Sequence, residues 1–249
     1  DQFMAINATA QQEAMKLQQE YQAANGDQAK MQAVQEAYAK LMTDAQAKET
    51  ELIKANPDSY VSTFVIVSGM GQMEYEQLKE RYNLLGEKAK ASAQGKAIAA
   101  QIAKLESTAI GQIAPNFTIT TPEGESISLY DIKGKVKLID FWASWCAPCI
   151  AEMPTVKEIY AKYKDKGLKV VGISMDNSKA AWMKSIDKIQ IPWLHVSSLK
   201  GMKRCPVAEL YQVYAIPKLY IIDKEGKIVD KDLRGEDLKK KVDGLFARQ

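Results

Sequence analysis

Through its first 110 residues the chain repeats apolar residues at steps of three and four, the spacing of one face of a helix. Ala14, Leu17, Tyr21 and Ala24 form one such stripe, with Asn7 or Thr9 as the expected N-cap. Asn25-Gly26-Asp27 interrupts it, since Asn and Gly accept the left-handed backbone that ends a helix. Met31, Val34, Tyr38, Leu41, Ala45 and Leu52 resume it, so two antiparallel helices are expected, each burying a narrow stripe. Asn56-Pro57-Asp58 then opens a new element over 60–68. Its Val, Thr and Ile suit a strand or a helix, and its neighbours favour a helix. Further helices are expected over 73–84 and 87–109, the latter with Ile98, Ile102 and Leu105 on one face.

From 111 onward the period changes. Residues 117–120 and 127–129 flank the turn Thr121-Pro122-Glu123-Gly124, a hairpin signal. A β-rich run over 136–142 leads to a helix over 147–163, a strand over 169–175 and a helix over 178–188. A strand over 193–196 and a short helix over 206–213 follow. A second hairpin, 218–223 with 227–230, turns at Lys224-Glu225-Gly226, and a helix over 235–247 closes the chain. Strand–helix–strand followed by a hairpin and a helix reads as an α/β mixed sheet with helices on both faces.

Composition divides at the same place. Residues 1–110 hold 35 Ala or Gln and no Cys, Trp or His, whereas 111–249 hold all three Cys, all four Trp, the only His and seven of the eight Pro. Two domains are therefore expected, an all-α helical domain over 1–110 and a mixed domain over 111–249. The net charge of +3 hides halves of opposite sign, −3 and then +6. A net excess so small does not argue for nucleic acid as the main partner. The longest apolar run, 60–67, contains Ser62 and Thr63 and is far short of the roughly 20 residues of a membrane span.

The chemistry is concentrated in Trp142-Ala-Ser-Trp145-Cys146-Ala147-Pro148-Cys149, where a strand ends and a helix begins. Cys-x-x-Cys within one helical turn lets two sulfurs reach bonding distance. At the helix N-terminus, unpaired N–H groups and the dipole stabilise a Cys146 thiolate, and Cys149 lies one turn inside as the resolving thiol. Attack by Cys146 on a disulfide, then by Cys149 on the mixed disulfide, is the implied reaction. A zinc site would need two more ligands; only His195 and Cys205 remain, ten residues apart, so no metal is expected. Cys205 before Pro206 suits an N-cap and, like His195, is expected to be a packed structural residue. In the helical half nothing looks catalytic; its stripes are expected to pack on one another or to dock a partner.

Leu138-Ile-Asp-Phe-Trp-Ala-Ser-Trp-Cys-Ala-Pro-Cys149 resembles thioredoxin, and Ile113-Ala-Pro-Asn-Phe117, the hairpin after it and Glu152-Met-Pro154 resemble the envelope thioredoxins of the TlpA/ResA type. The resemblance covers about 111–249; more weakly, 1–110 resembles the helical segment preceding such domains in Gram-negative envelope proteins. It implies a thioredoxin-like fold and a thiol:disulfide oxidoreductase whose only redox group is the Cys146–Cys149 pair, with no separate cofactor. It makes Ile216-Pro217 a cis-proline loop whose backbone pairs with an extended substrate, beside Trp145, Ala147 and Pro148. Pro154 would kink the helix. Asp140 becomes the buried acid beneath the dithiol, its pKa raised by desolvation, able to take the Cys149 proton.

Two departures from the thioredoxin pattern stand out. The lysine that partners the buried acid would fall near Gly172 or Ile173, neither of which can pair, and Lys218 places a positive charge near bound substrate. Ala147-Pro148 carries no His to stabilise the thiolate, which favours a reductant, in the lower half of the superfamily range of roughly −270 to −120 mV. The expected substrates are disulfides of exported proteins, apocytochrome c among the candidates, with a membrane electron donor upstream and a homodimer through the helical domain. The expected location is the periplasm or cell envelope, with anchoring through a missing N-terminal portion, since Asp1 is no initiator and no signal peptide is recognisable. Two alternatives stand beside this reading. A redoxin-type thiol peroxidase would want Pro and Thr or Ser where Ile139 and Ala143 stand, and a non-catalytic helical interaction module would leave the dithiol unexplained.

Overall fold

Residues 2–247 are described by a computed structural model. Helices fill the first part of the chain: α1 (Gln2–Ala23), α2 (Gln28–Ala55), α3 (Tyr60–Gly69), α4 (Tyr75–Asn83), α5 (Glu87–Ala91) and α6 (Ala93–Glu106). Between α1 and α2, Asn25 and Gly26 take φ values of 44° and 88°, and Asp27 caps α2 by accepting the Lys30 N–H. Among the described residues α1 buries Phe3 and α2 buries Ile53, whereas Tyr21 and Tyr38 of the apolar stripes, and Met15 beside them, stay exposed. α3 is a helix, begun by Ser59, whose side chain accepts the Val61 N–H. Asp58 reaches forward to accept the Lys88 and Ala89 N–H groups at the start of α5, and buried Arg81 pairs with Glu49 at 3.0 Å.

Two expectations are corrected in this region. α1 begins at Gln2 rather than after Asn7 or Thr9, because the Thr9 hydroxyl donates back to the Ala5 carbonyl at 2.9 Å and caps nothing. The helix expected over 87–109 breaks at Ser92, which is extended at φ −66° and ψ 166°. Its Oγ donates to the Ala89 carbonyl and accepts the Gly95 N–H, so it ends α5 and caps α6. The fold is tight at this corner: a Cβ on Gly95 would lie 2.2 Å from the Ala89 carbonyl oxygen.

The rest of the chain runs β1 (Thr118–Thr120), β2 (Ser126–Ser128), β3 (Val136–Trp142), α7 (Ala147–Tyr163), β4 (Leu168–Ser174), α8 (Lys179–Ile189), β5 (Leu194–Ser197), α9 (Pro206–Leu210), β6 (Lys218–Ile222), β7 (Ile228–Lys231) and α10 (Gly235–Ala247). β1 and β2 form a separate hairpin. The five-stranded sheet has the order β5-β4-β3-β6-β7, parallel through β5, β4 and β3 and antiparallel at β6 and β7. β3 and β4 are buried on both faces at nearly every position, as central strands covered on two sides must be. The free edge of β7 is closed by 111–114: Gly111 and Ala114 donate to the Ile228 and Gly226 carbonyls, and Gln112 accepts from Ile228. The chain divides into two compact units, Asp1–Ala103 and Lys104–Gln249, with the division inside α6 a little before the change of composition.

Candidate active site

At the end of β3 the chain turns through Ala143, Ser144 and Trp145, and Cys146 becomes the N-cap of α7. The turn is held from behind by Asp176. Its buried carboxylate accepts the Ser144 N–H at 3.0 Å, the Ser144 hydroxyl at 2.6 Å and the Ser174 hydroxyl at 2.7 Å. Pro148 stands in the first turn of α7, where a missing N–H removes no helical bond. The Cys149 N–H points at Cys146 Sγ, 3.3 Å away, so the sulfur of Cys146 sits where a helix start concentrates positive potential.

Cys146 and Cys149 are joined as a disulfide with a Cα–Cα distance of 5.3 Å. Their exposures, 4% and 2%, are nearly equal, so in this oxidised state Cys146 is as sheltered as its partner. Around them Trp145 is 60% exposed, and Ala147 and Pro148 are exposed too. The dithiol thus lies under a rim of uncharged side chains open to solvent.

The Ile216–Pro217 peptide is cis and half-buried. β6 starts at the next residue, Lys218, which pairs with Phe141 near the end of β3, so topology brings this loop to the end of the sheet from which the Cys146 turn emerges. Neither backbone group of Ile216 has a backbone partner among the described residues. Lys218 departs from expectation. Its ammonium is paired with Asp232 and its side chain is only 16% exposed, so its charge is neutralised rather than offered to a substrate. Asp232 also accepts the Leu219 N–H and donates its own to the Leu219 carbonyl, which fastens the segment after β7 to the start of β6.

Asp140 lies on β3, 6% exposed, and its register partner on β4 is Gly172, which carries no side chain to pair with it. Burial pushes its pKa up to about 7; the guanidinium of Arg234 opposes that rise and the carboxylate of Glu152 adds to it. An acid so placed changes protonation near neutrality and can both accept and return a proton.

Glu152 and Arg234 are site residues that sequence reasoning misses. Glu152 is in principle legible, since it follows Cys149 by three residues and so shares its face of α7. Arg234 has no local signal; only the return of the chain after β7 brings it near β3.

His195 is buried, and burial lowers its pKa to about 4, so the imidazole is neutral at pH 7. Cys205 is the N-cap residue of α9 and is buried, with no cap bond from its sulfur. Pro154 lies inside α7. Among the described residues no three His, Cys, Asp or Glu side chains converge as metal ligands would.

The AhpC/TSA family model matches residues 110–231. The thiol-disulfide oxidoreductase ResA of Bacillus cereus is 37% identical over 143 residues, which are 57% of this chain and 80% of that protein. The thioredoxin domain of a thiol-disulfide oxidoreductase from Bacteroides vulgatus superposes with a TM-score of 0.52 at 37% identity, covering 55% of this chain and 98% of that domain. A thiol:disulfide interchange protein from Bacteroides sp. gives 0.52 at 38% identity, over 57% of this chain and 92% of that one. A dithiol pair capping α7 at the end of the central strand, in a fold and sequence shared with these proteins, is the working part of a redox enzyme, and the chain belongs to the ResA-like thiol-disulfide oxidoreductases of the thioredoxin superfamily.

Proposed function

We propose that the protein works as a dithiol reductant of disulfides in exported proteins. The observation that carries this direction is the uncharged Ala147-Pro148 pair at the α7 N-terminus, with no His beside Cys146 to stabilise the thiolate selectively and make the disulfide oxidising. In the forward reaction the Cys146 thiolate attacks a substrate disulfide, forming one S–S bond and releasing one substrate thiolate. Cys149 gives its proton to Asp140, and its sulfur attacks Cys146. The intramolecular disulfide forms, the mixed disulfide breaks, and two electrons have passed to the substrate. Ile216 supplies free backbone groups for an extended substrate strand beside Trp145, Ala147 and Pro148.

A dithiol spent in this way must be regenerated by another dithiol. We assign that role to a membrane-held donor on the oxidising side of the membrane, in the periplasm or cell envelope. No helix among the described residues is long and apolar enough to cross a membrane, so anchoring would rest on chain beyond them. A peroxidase reading is disfavoured by fully buried Ile139 and Ala143, which offer no hydroxyl to a peroxide.

The test is trapping in the native envelope. A Cys149→Ser variant is expected to accumulate adducts through Cys146 with exported proteins, apocytochrome c among the candidates; adducts confined to cytoplasmic proteins, or none, would sink the assignment.

At the helical hairpin, a second copy of the chain is the expected occupant. The groove between α1 and α2 is lined by Met15, Leu17, Tyr21, Val34 and Tyr38 with glutamines and no charged side chain. An uncharged apolar face can meet its own copy about a two-fold axis without like-charge repulsion. In sedimentation equilibrium the protein should dimerise, and Val34→Asp should weaken the dimer roughly tenfold or more, a penalty of about 1.4 kcal/mol or above. A monomer at all concentrations would contradict it.

A further inference from the structure

The segment between β7 and α10 grips the cis-proline loop at more than one point. Asp232 exchanges backbone and side-chain bonds with Leu219 and pairs with Lys218. Two residues on, Arg234 Nη2 donates to the Pro217 carbonyl at 2.8 Å. The Arg234 backbone is itself fixed from two directions. Its carbonyl accepts the Asp237 and Leu238 N–H groups at the start of α10, and the Gly235 N–H donates to Glu152 Oε1 on α7 at 2.8 Å. The guanidinium is therefore presented from an immobilised base to the carbonyl that directly follows the substrate-pairing residue Ile216.

We infer that Arg234 is a positioning residue of the redox site, holding the Ile216–Pro217 loop in the geometry that receives an extended substrate strand. This role rests on the reading of that loop as the substrate-binding edge. A charge-assisted bond to a carbonyl is stronger than a neutral one and fixes orientation as well as distance. With the Pro217 carbonyl engaged by Arg234 and Pro217 lacking an N–H, the neighbouring Ile216 N–H and C=O are the groups best placed to pair with an incoming strand, which favours one register. The same guanidinium supplies the positive potential that opposes the burial of Asp140. One side chain thus links the loop that docks substrate to the acid that accepts the resolving proton, in a chain whose β4 places glycine opposite that acid.

A positioning role predicts selective damage. Pre-reduced protein would be mixed with two disulfides: a synthetic linear peptide closed by one internal disulfide, which needs the loop, and 5,5′-dithiobis(2-nitrobenzoate), which is too small to pair with it. Arg234→Met should lower the rate with the peptide roughly tenfold more than the rate with the small disulfide, the scale of one lost charged hydrogen bond. Arg234→Lys, which restores a cationic donor with poorer geometry, should recover part of the ratio. Equal loss with both disulfides, or an unchanged ratio, would overturn the inference. If Arg234→Met fails to fold, Arg234→Gln carries the same comparison, and an unchanged ratio there overturns it too. Failure of the wild-type dithiol to reduce either disulfide would instead remove the dithiol reading on which the inference stands.

Discussion

Cys146→Ser is expected to abolish disulfide reduction, lowering the rate by on the order of 10⁴-fold or more, the scale of losing an enzyme's nucleophile. The reason is positional as well as chemical. Cys146 is the cap of a seventeen-residue helix, and its sulfur faces the Cys149 N–H at 3.3 Å. A thiolate there gains from the helix dipole and from unpaired N–H groups, both of which favour the charged form of the sulfur. A serine hydroxyl in the same place stays protonated at neutral pH and does not attack sulfur. Cys149→Ser should behave differently: the first attack survives, releases one thiolate per protein and stops. Single-turnover thiolate release with the two variants checks this. Equal first-turnover bursts would remove the distinction between the two sulfurs, and a burst from Cys146→Ser alone would reverse their assignment.

What the sequence makes legible is what its own spacing dictates. Cys-x-x-Cys after a β-rich run, with a proline in the first helical turn, specifies a capped helix and a dithiol, whereas the cis-proline loop at Ile216-Pro217 is legible only through the resemblance to thioredoxin. Asp140 is legible because its flanking residues are apolar, and a strand buried on both faces leaves a polar side chain no exit. The surroundings of that acid are another matter. Arg234 lies more than ninety residues away in sequence, and nothing in its neighbours marks it as facing β3. Lys218 misleads for the same reason: its neutralising partner Asp232 is reached only after the β6–β7 hairpin has turned back. In the helical half the 3.6-residue period identifies helices but runs unbroken across Ser92, so the corner there is set by a serine side chain bonding both ways and by the close approach at Gly95.

Asp140→Asn should move two quantities in opposite directions. At pH 7 the wild-type acid is about half ionised and can accept the Cys149 proton, and an amide cannot. Loss of a positioned base of this kind costs roughly 10²-fold or more in the resolving step. The deficit should shrink as pH rises toward the free thiol range, where Cys149 ionises unaided. Stability should go the other way. The acid has an unfolded pKa near 3.8 and a folded pKa of about 7, so the native state binds the proton more tightly. It therefore leaves the fold unpenalised well below pH 4 and destabilises it progressively as pH rises from about 4 to 7, after which the penalty is constant. A rise of that size corresponds to a penalty of about 4 kcal/mol. Asn carries no such dependence, so its stability relative to wild type should improve by about that much between pH 4 and pH 8 in the oxidised protein. Tryptophan fluorescence during urea unfolding reads this cleanly, because Trp142, Trp145, Trp182 and Trp193 all lie in the redox unit. A variant that resolves as fast as wild type at pH 7 would mean that the proton leaves Cys149 by another route, and one no more stable at pH 8 than at pH 4, relative to wild type, would mean that the fold does not raise the Asp140 pKa.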